Sequence, residues 1–242
     1  MTTAHLGPFE VVEFRRYDIK PGQRDAFAAY FEAYFPEAFQ HTGAIIFGQF
    51  HERGDDTTFT WIRGFRDYES RAAVNTGFYS GPLWKEHSST MNERIDDIVN
   101  TLLLQPLDAE RAITVLPAVD PVTEVDGVSG VVVAHILRVD PARLDETTKL
   151  ATGAFSTYAS DRVREAGVLV TLDVENNFPG LPFRTDGPYL VWLGLAENDD
   201  AVHQLTPVAD RTAAELANAG YVLDSEFVVL DPTPRSRLRW LP

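Results

Sequence analysis

The sequence predicts an α+β fold in which two β-α-β-β-α-β units of one chain bring their antiparallel sheets together as a barrel. The order of strand-like and helix-like segments in residues 11–106 returns in residues 131–232. In each set, a strand that carries a tryptophan runs into an acidic helix start, where the helix dipole favours negative charge. Helices cover only one face of each ferredoxin-like sheet, so we expect the two units to cover each other's open faces.

The first unit is predicted from six segments in order. They are an opening strand (Val11 to Tyr17), a helix-like segment (Pro21 to His41), a strand (Ala44 to Glu52), a tryptophan strand (Phe59 to Phe65), an acidic helix start (Asp67 to Arg71) and a closing strand (Leu102 to Pro106). The helix carries aromatic residues at positions i, i+3, i+4, i+7 and i+8, which is typical of a buried helix face rather than of a cofactor site.

The second unit repeats this order more weakly. Its segments are Val131 to Leu137, Pro141 to Ala166, Gly167 to Glu175, Leu190 to Leu195, the helix start Glu197 to Asp200, and Phe227 to Pro232. Proline and glycine among acidic and small residues indicate a connection between the units. We therefore predict repeats at residues 1–108 and 128–242 and a linker at 109–127, in which Ala112 to Leu116 could add a short edge strand.

Composition excludes several classes of function. A formal charge of −15 argues against nucleic acid, because binding to phosphates needs clustered Lys and Arg. The absence of cysteine excludes disulfides and Cys-ligated metal sites. With no signal sequence and no long apolar stretch, we expect a cytoplasmic protein that does not bind membranes.

The opening strand carries an unusual set of polar residues. Side chains alternate across a strand, so Glu13, Arg15 and Tyr17 share one face, and Val12 and Phe14 share the other. We assign the apolar pair to the helix side and the polar row to the barrel interior. Buried charges need partners, so the row is either a self-satisfied ion-pair network or part of a binding site.

The second unit presents an apolar version of the same row. Aligning the opening strands places Val133 opposite Glu13, His135 opposite Arg15 and Leu137 opposite Tyr17. One polar and one apolar wall suit an aromatic or amphiphilic small molecule. We therefore expect one asymmetric site per chain.

Within the first half, four sequence features resemble the NIPSNAP family. These are the run from Glu13 to Gly22, the strand from Phe59 to Phe65, the helix start from Asp67 to Arg71, and the segment from Leu83 to Glu86. The resemblance covers about residues 9–106 and implies a dimeric α+β barrel fold. It implies no particular reaction, because the family has no settled activity and the barrel hosts several chemistries.

The candidate site residues follow from these predictions. His135 or His51 is the candidate general base, since imidazole titrates near neutral pH, and Arg15 and Tyr17, with Glu13 beside them, would polarise a substrate oxygen. The candidate substrate-binding residues are Gln49, His51, Trp61, Arg63, Trp84, Asp173 and Trp192. No motif indicates a metal site, a haem site or another cofactor.

The segment from Asn176 to Gly187 is inserted relative to the first unit and is rich in aromatic, proline and glycine residues. It is either a lid over one end of the barrel or an arm of a homodimer. The favoured function is a cofactor-independent biosynthetic enzyme of cyclase, isomerase or monooxygenase type that acts on an aromatic or polyketide-like compound. The alternative is a non-catalytic ligand-binding or scaffolding barrel.

Overall fold

The computed structural model of this chain describes residues 8–125 and 127–241. The first half contains β1 (Val11–Ile19), α1 (Arg24–Tyr34), α2 (Pro36–Thr42), β2 (Ile45–Glu52), β3 (Thr58–Phe65), α3 (Tyr68–Tyr79), α4 (Pro82–Asn92), β4 (Ile95–Asp97) and β5 (Thr101–Pro106). The second half contains β6 (Val131–Val139), α5 (Leu144–Phe155), β7 (Val163–Thr171), β8 (Tyr189–Ala196), α6 (Asp199–Asn218) and β9 (Val222–Pro232).

Eight of these strands form a closed antiparallel barrel. The order around it is β1-β3-β2-β9-β6-β8-β7-β5, and β5 pairs again with β1. The pairs β2–β9 and β5–β7 join the two halves, and the helices of each half cover its part of the outer surface. The predicted α+β barrel within one chain is confirmed.

Apolar side chains from both halves fill the barrel. Val12 and Phe14 of β1 belong to this core together with Ile62, Leu104, Val132, Ala134, Val191, Leu193, Val228 and Leu230. At one end, Arg16 bonds to Glu52 of β2 and Glu226 of β9. The barrel interior is therefore a packed core.

The predicted orientation of the opening strand was wrong. Val12 and Phe14 point into the barrel, whereas Tyr17 packs in the helix-covered layer of the first half. Alternation separates the two sets but does not say which face is which when both are buried, as in β1. On the outer face, Arg71 of α3 reaches Glu13, whereas Arg16 on the inner face of β1 is paired by strand residues at the barrel end.

Three element boundaries also differ from the predictions. The first helix-like segment is divided at Pro36, because proline lacks the N–H that a helix interior needs and instead begins α2. In the second half, α5 ends at Phe155 and β7 already begins at Val163, with turn-forming Ser160 between them. Residues 112–116 form no strand, but Ile113 and Val115 pack into the barrel core.

Gly130 lies where the chain leading into β6 packs against the C-terminal segment. Its φ is +79°, and a Cβ there would lie 2.3 Å from Cβ of Trp240 and 2.7 Å from the carbonyl oxygen of Ala196.

We expect Gly130→Ala to lower the free energy of unfolding by about 2–3 kcal/mol, because backbone strain and overpacking add. Gly54→Ala is the matched control for urea denaturation, since Gly54 has φ of +80° with open space around it. We expect the control to cost only about 1 kcal/mol, and equal losses would contradict the packing role of Gly130.

Candidate active site

A cavity of about 580 Å³ lies between the outer face of the first-half sheet and its helices. Aromatic side chains from β1, β3, α1, α2, α3 and α4 form most of its wall, and Asn92, Asp96 and Asp97 lie at its mouth. The aromatic residues are Tyr17, Phe27, Phe31, Phe35, Phe39, Trp61, Phe78, Tyr79 and Trp84. Phe27, Phe31 and Phe35 of the predicted aromatic stripe are thus core, as predicted, and also cavity wall.

A buried charge cluster lies beside this cavity. The carboxylate of Glu13 accepts hydrogen bonds from Arg15 Nη1 at 2.8 Å, from Arg63 Nε at 2.7 Å and from Arg71 Nε at 2.6 Å. All four side chains are 0% exposed. Residues from two adjacent strands and from α3 therefore converge on one carboxylate.

Three guanidinium groups share a single carboxylate, so the cluster carries two surplus positive charges. Burial alone would raise the pKa of Glu13, but the charges of Arg63, Arg15 and Arg71 outweigh burial and hold that pKa far below its usual range. Glu13 is consequently ionised at any ordinary pH. A carboxylate held in this way is a poor proton acceptor.

Part of the surplus charge faces aromatic rings. The guanidinium carbon of Arg63 lies 4.9 Å from the ring centroids of Phe39 and Trp61, and that of Arg15 lies 5.3 Å from the ring of Tyr17. Such cation–π contacts partly compensate a buried charge. Within the part of the chain that the structure describes, Arg15 Nη2, Arg63 Nη1 and Arg71 Nη2 have no hydrogen-bond partner.

Tyr17 links the cluster to the cavity. Its hydroxyl oxygen accepts a hydrogen bond from Arg15 Nε at 2.9 Å, and its ring forms part of the cavity wall. Among the described residues, the hydroxyl proton of Tyr17 has no acceptor. A phenol that already accepts from a guanidinium is a stronger donor, because hydrogen bonds in a chain polarise one another.

The inserted segment of the second half closes over this first-half cavity. Phe178, Gly180 and Leu181 belong to the cavity wall, and Phe178 stacks on Tyr79 with 5.8 Å between ring centroids. Arg71 Nη1 donates to Asn177 Oδ1 at 2.6 Å and to Asn176 Oδ1 at 3.1 Å. The segment thus covers a cavity in the helix layer rather than an end of the barrel, and Arg71 ties it to the charge cluster.

His135 lies in a different layer from the Glu13 cluster. It packs among the second-half helices, where its Nδ1 lies 2.9 Å from the hydroxyl of Tyr158 and Phe155 and Phe227 flank its ring. The prediction that His135 borders the same space as Glu13, Arg15 and Tyr17 was wrong. The two opening strands carry these residues on the outside of the barrel, each toward its own helices.

Burial lowers the pKa of His135 to about 4. In the unfolded chain, His135 is protonated below about pH 6.5, whereas in the folded chain it is protonated only below about pH 4. The free energy of unfolding therefore falls as pH falls from about 6.5 to about 4. We expect the free energy of unfolding to drop by about 2 kcal/mol from this residue between pH 7 and pH 5. Urea denaturation at both pH values measures the drop, and His135→Gln, which cannot titrate, should remove that part of it. An identical pH dependence in the variant would contradict the assignment.

The structure unites some predicted substrate-binding residues and separates others. Trp61, Arg63 and Trp84 join Tyr17, Arg15 and Glu13 at the cavity and its cluster. The other predicted residues lie elsewhere. Gln49 bonds to Glu32 under α1, and His51 lies 3.8 Å from Asp25 at the β2–β3 hairpin. Asp173 is exposed after β7, and Trp192 bonds to Glu165 in the second half. Gln49 and His51 also point toward the first-half helices and not into the barrel.

Sequence reasoning assigned no site role to α3. Arg71 belongs to the cluster and Tyr79 to the cavity, yet Arg71 was noted only as part of the helix start Asp67 to Arg71. Arg71 and Asn75 share the buried helix face with Val74 and Phe78. Polar residues at helical spacing within an apolar stripe were the signal that could have found them.

Within the described ranges 8–125 and 127–241, no group of three or more His, Cys, Asp and Glu side chains could hold a metal ion. In the same ranges, no helix has the length and apolar character needed to cross a membrane.

Comparison with known proteins supports the family resemblance in the first half and the fold over the whole chain. Residues 12–107 match the NIPSNAP family model. No curated protein sequence matches the chain. A candidate monooxygenase from Lactobacillus acidophilus has a TM-score of 0.55 at 14% identity, over 93% of this chain and 94% of its own.

Two further solved structures are similar to the same extent. A candidate monooxygenase from Fusobacterium nucleatum has a TM-score of 0.60 at 10% identity, over 93% of both chains. An anthrone oxidase-like protein has a TM-score of 0.59 at 12% identity, over 94% of this chain and 93% of its own. At such identities the similarity concerns fold alone. The chain is a dimeric-type α+β barrel within one polypeptide, and its residues 12–107 are the part that matches the NIPSNAP family.

Proposed function

We propose that this protein is a cytoplasmic, cofactor-independent enzyme that converts a flat aromatic or polyketide-like compound in the first-half cavity. The observation that carries the proposal is the cavity itself, which is walled by aromatic rings and backed by buried arginines. A volume of about 580 Å³ lies in the range of small-molecule sites. Aromatic walls of this kind favour a polycyclic ligand that stacks on them.

The reaction type that we carry over is that of the candidate monooxygenases that share the fold. A suitable substrate is an anthrone, whose methylene carbon lies between two aromatic rings and opposite a ring carbonyl. Loss of one methylene proton to water at the cavity mouth gives a carbanion whose charge is shared with the carbonyl oxygen. The hydroxyl of Tyr17 would donate a hydrogen bond to that oxygen.

The oxidation then balances with dioxygen as the only co-reactant. The methylene group and O₂ give a carbonyl group and H₂O, so the carbon loses four electrons and O₂ gains four. One oxygen atom forms the new carbonyl and the other leaves as water. The protein supplies binding, orientation and stabilisation of the negative charge.

Oxygen uptake with an anthrone substrate tests the proposal. We expect enzyme-dependent uptake that Gly180→Trp abolishes by filling the cavity and that Gly180→Ala preserves. Gly180→Ala should disturb the packing little, because a Cβ at Gly180 would contact only Phe178, at an ordinary van der Waals distance of 3.5 Å. Tight binding without any turnover would favour the alternative of a non-catalytic binding protein, and uptake that survives Gly180→Trp would place the reaction outside this cavity.

A further inference from the structure

We propose that the cavity selects ligands with an acidic hydroxyl, such as phenols and enols, and binds them as anions. The inference rests on the proposed function only in taking the first-half cavity as the ligand site. It deepens that function by naming the chemical property that decides which aromatic compounds bind. Its source is the imbalance of charge beneath the cavity wall.

The charged and titratable groups around the cavity do not balance. On the strands lie Glu13, Arg15 and Tyr17 of β1 and Arg63 of β3, and on α3 lie Arg71 and Tyr79. At the mouth lie Asp96 and Asp97 of β4. At neutral pH the buried groups sum to three positive charges and one negative charge.

Only one layer of rings separates the surplus charge from the cavity. The guanidinium carbons of Arg15 and Arg63 lie 5.7 Å and 4.9 Å from the ring centroid of Trp61, whose ring forms part of the wall. Little water intervenes, because all three arginines are fully buried. A low local dielectric strengthens the attraction between such charges and an anion in the cavity.

The cluster also has hydrogen-bonding capacity that the described protein groups leave unused. Arg15 Nη2 and Arg71 Nη2 are buried without partners. Buried polar groups are rarely left unpaired in proteins unless they serve a function or meet a water molecule. An anion in the cavity would offset part of the charge of these arginines across the ring of Trp61.

The carboxylates at the mouth do not cancel this effect. Asp96 and Asp97 are exposed, so solvent and salt screen their charges strongly. The buried cluster is screened far less. The potential inside the cavity therefore stays positive even though the chain as a whole carries a formal charge of −15.

The test uses 2-hydroxyanthraquinone, a dye whose visible absorption moves to longer wavelength when its phenol ionises. Its pKa is measured spectroscopically in water and when bound to the full chain. We expect the bound pKa to be lower by about one unit or more, as nearby opposite charges produce. The methyl ether of the dye cannot ionise, so its affinity should not change over the same pH range.

Two arginine variants make the test specific. Arg63→Gln removes one surplus charge while Glu13 keeps Arg15 and Arg71, so we expect the bound pKa to move back toward that of free dye. Arg239→Gln is the matched control, because Arg239 is also buried but pairs with Glu124 outside the cluster. It should leave the bound pKa unchanged. Equal effects of the two variants would overturn the proposal.

The outcomes also separate this inference from the proposed enzyme function. A lowered pKa without oxygen uptake on an anthrone would support anion selection and contradict the enzyme. Binding of the methyl ether, together with an unchanged or raised pKa of the bound phenol, would overturn anion selection and leave the enzyme standing. If Gly180→Trp binds both dyes with unchanged affinity, the cavity is not the ligand site and both proposals fail.

Discussion

Replacing Glu13 by leucine is expected to lower the free energy of unfolding by about 3–5 kcal/mol, which is the typical cost of removing one partner from a buried ionic group. Glu13 is the only carboxylate that neutralises Arg15, Arg63 and Arg71 in the described part of the cluster. Leucine fills a similar volume, so the loss measures charge rather than packing. Urea denaturation at neutral pH, followed by circular dichroism, gives the value.

Arg63→Met is the matched comparison for Glu13→Leu. It removes a surplus charge from the same cluster and keeps an apolar chain between Phe39 and Trp61. Its cost should stay below about 1 kcal/mol, because the lost cation–π contacts are offset by relief of a poorly paired charge. A loss as large as that of Glu13→Leu would mean that all members of the cluster are equally needed for folding, and would remove the evidence for surplus charge.

The second large effect is expected from Tyr17→Phe, which should lower kcat for anthrone oxidation by about 100-fold or more. The reason is that a hydrogen-bond donor to a developing oxyanion contributes this much in enzymes. Because phenylalanine keeps the ring of the cavity wall, KM should change little. Steady-state oxygen uptake separates the two constants.

Tyr34→Phe is the control for this variant. Tyr34 is 39% exposed, stacks on His87 and does not contribute to the cavity wall. We expect unchanged kinetics from it. A fall in melting temperature with unchanged kcat in Tyr17→Phe would assign Tyr17 to structure, as the partner of Arg15, and not to catalysis.

The order of elements made the architecture predictable from sequence, but the orientation of the opening strand was not. Periodicity assigns Val12 and Phe14 to one face and Glu13, Arg15 and Tyr17 to the other, and this grouping holds in the structure. Which face looks inward depends on neighbours that are distant in sequence. The barrel encloses the apolar set because the partners of Glu13 come from β3 and α3.

The candidate site was predictable in part, from two residues of β3 and from Trp84 of α4. Arg63 and Trp61 share a strand face at period two, and both reach the site. His135 was misplaced, because aligning two strands gives equivalent positions without bringing them together in space. The composition of the segment 176–187 could not predict where it packs, because its contacts with Arg71 and Tyr79 join residues that are distant in sequence.

Closure of the barrel has a consequence for how the chain unfolds. The pairs β2–β9 and β5–β7 give each half strand partners that only the other half provides. Loss of either half would leave two unpaired strand edges and expose a core that both halves fill. The two units should therefore melt together. Fluorescence of Trp61 and Trp84 in the first half should follow the same denaturation curve as that of Trp192 and Trp240 in the second.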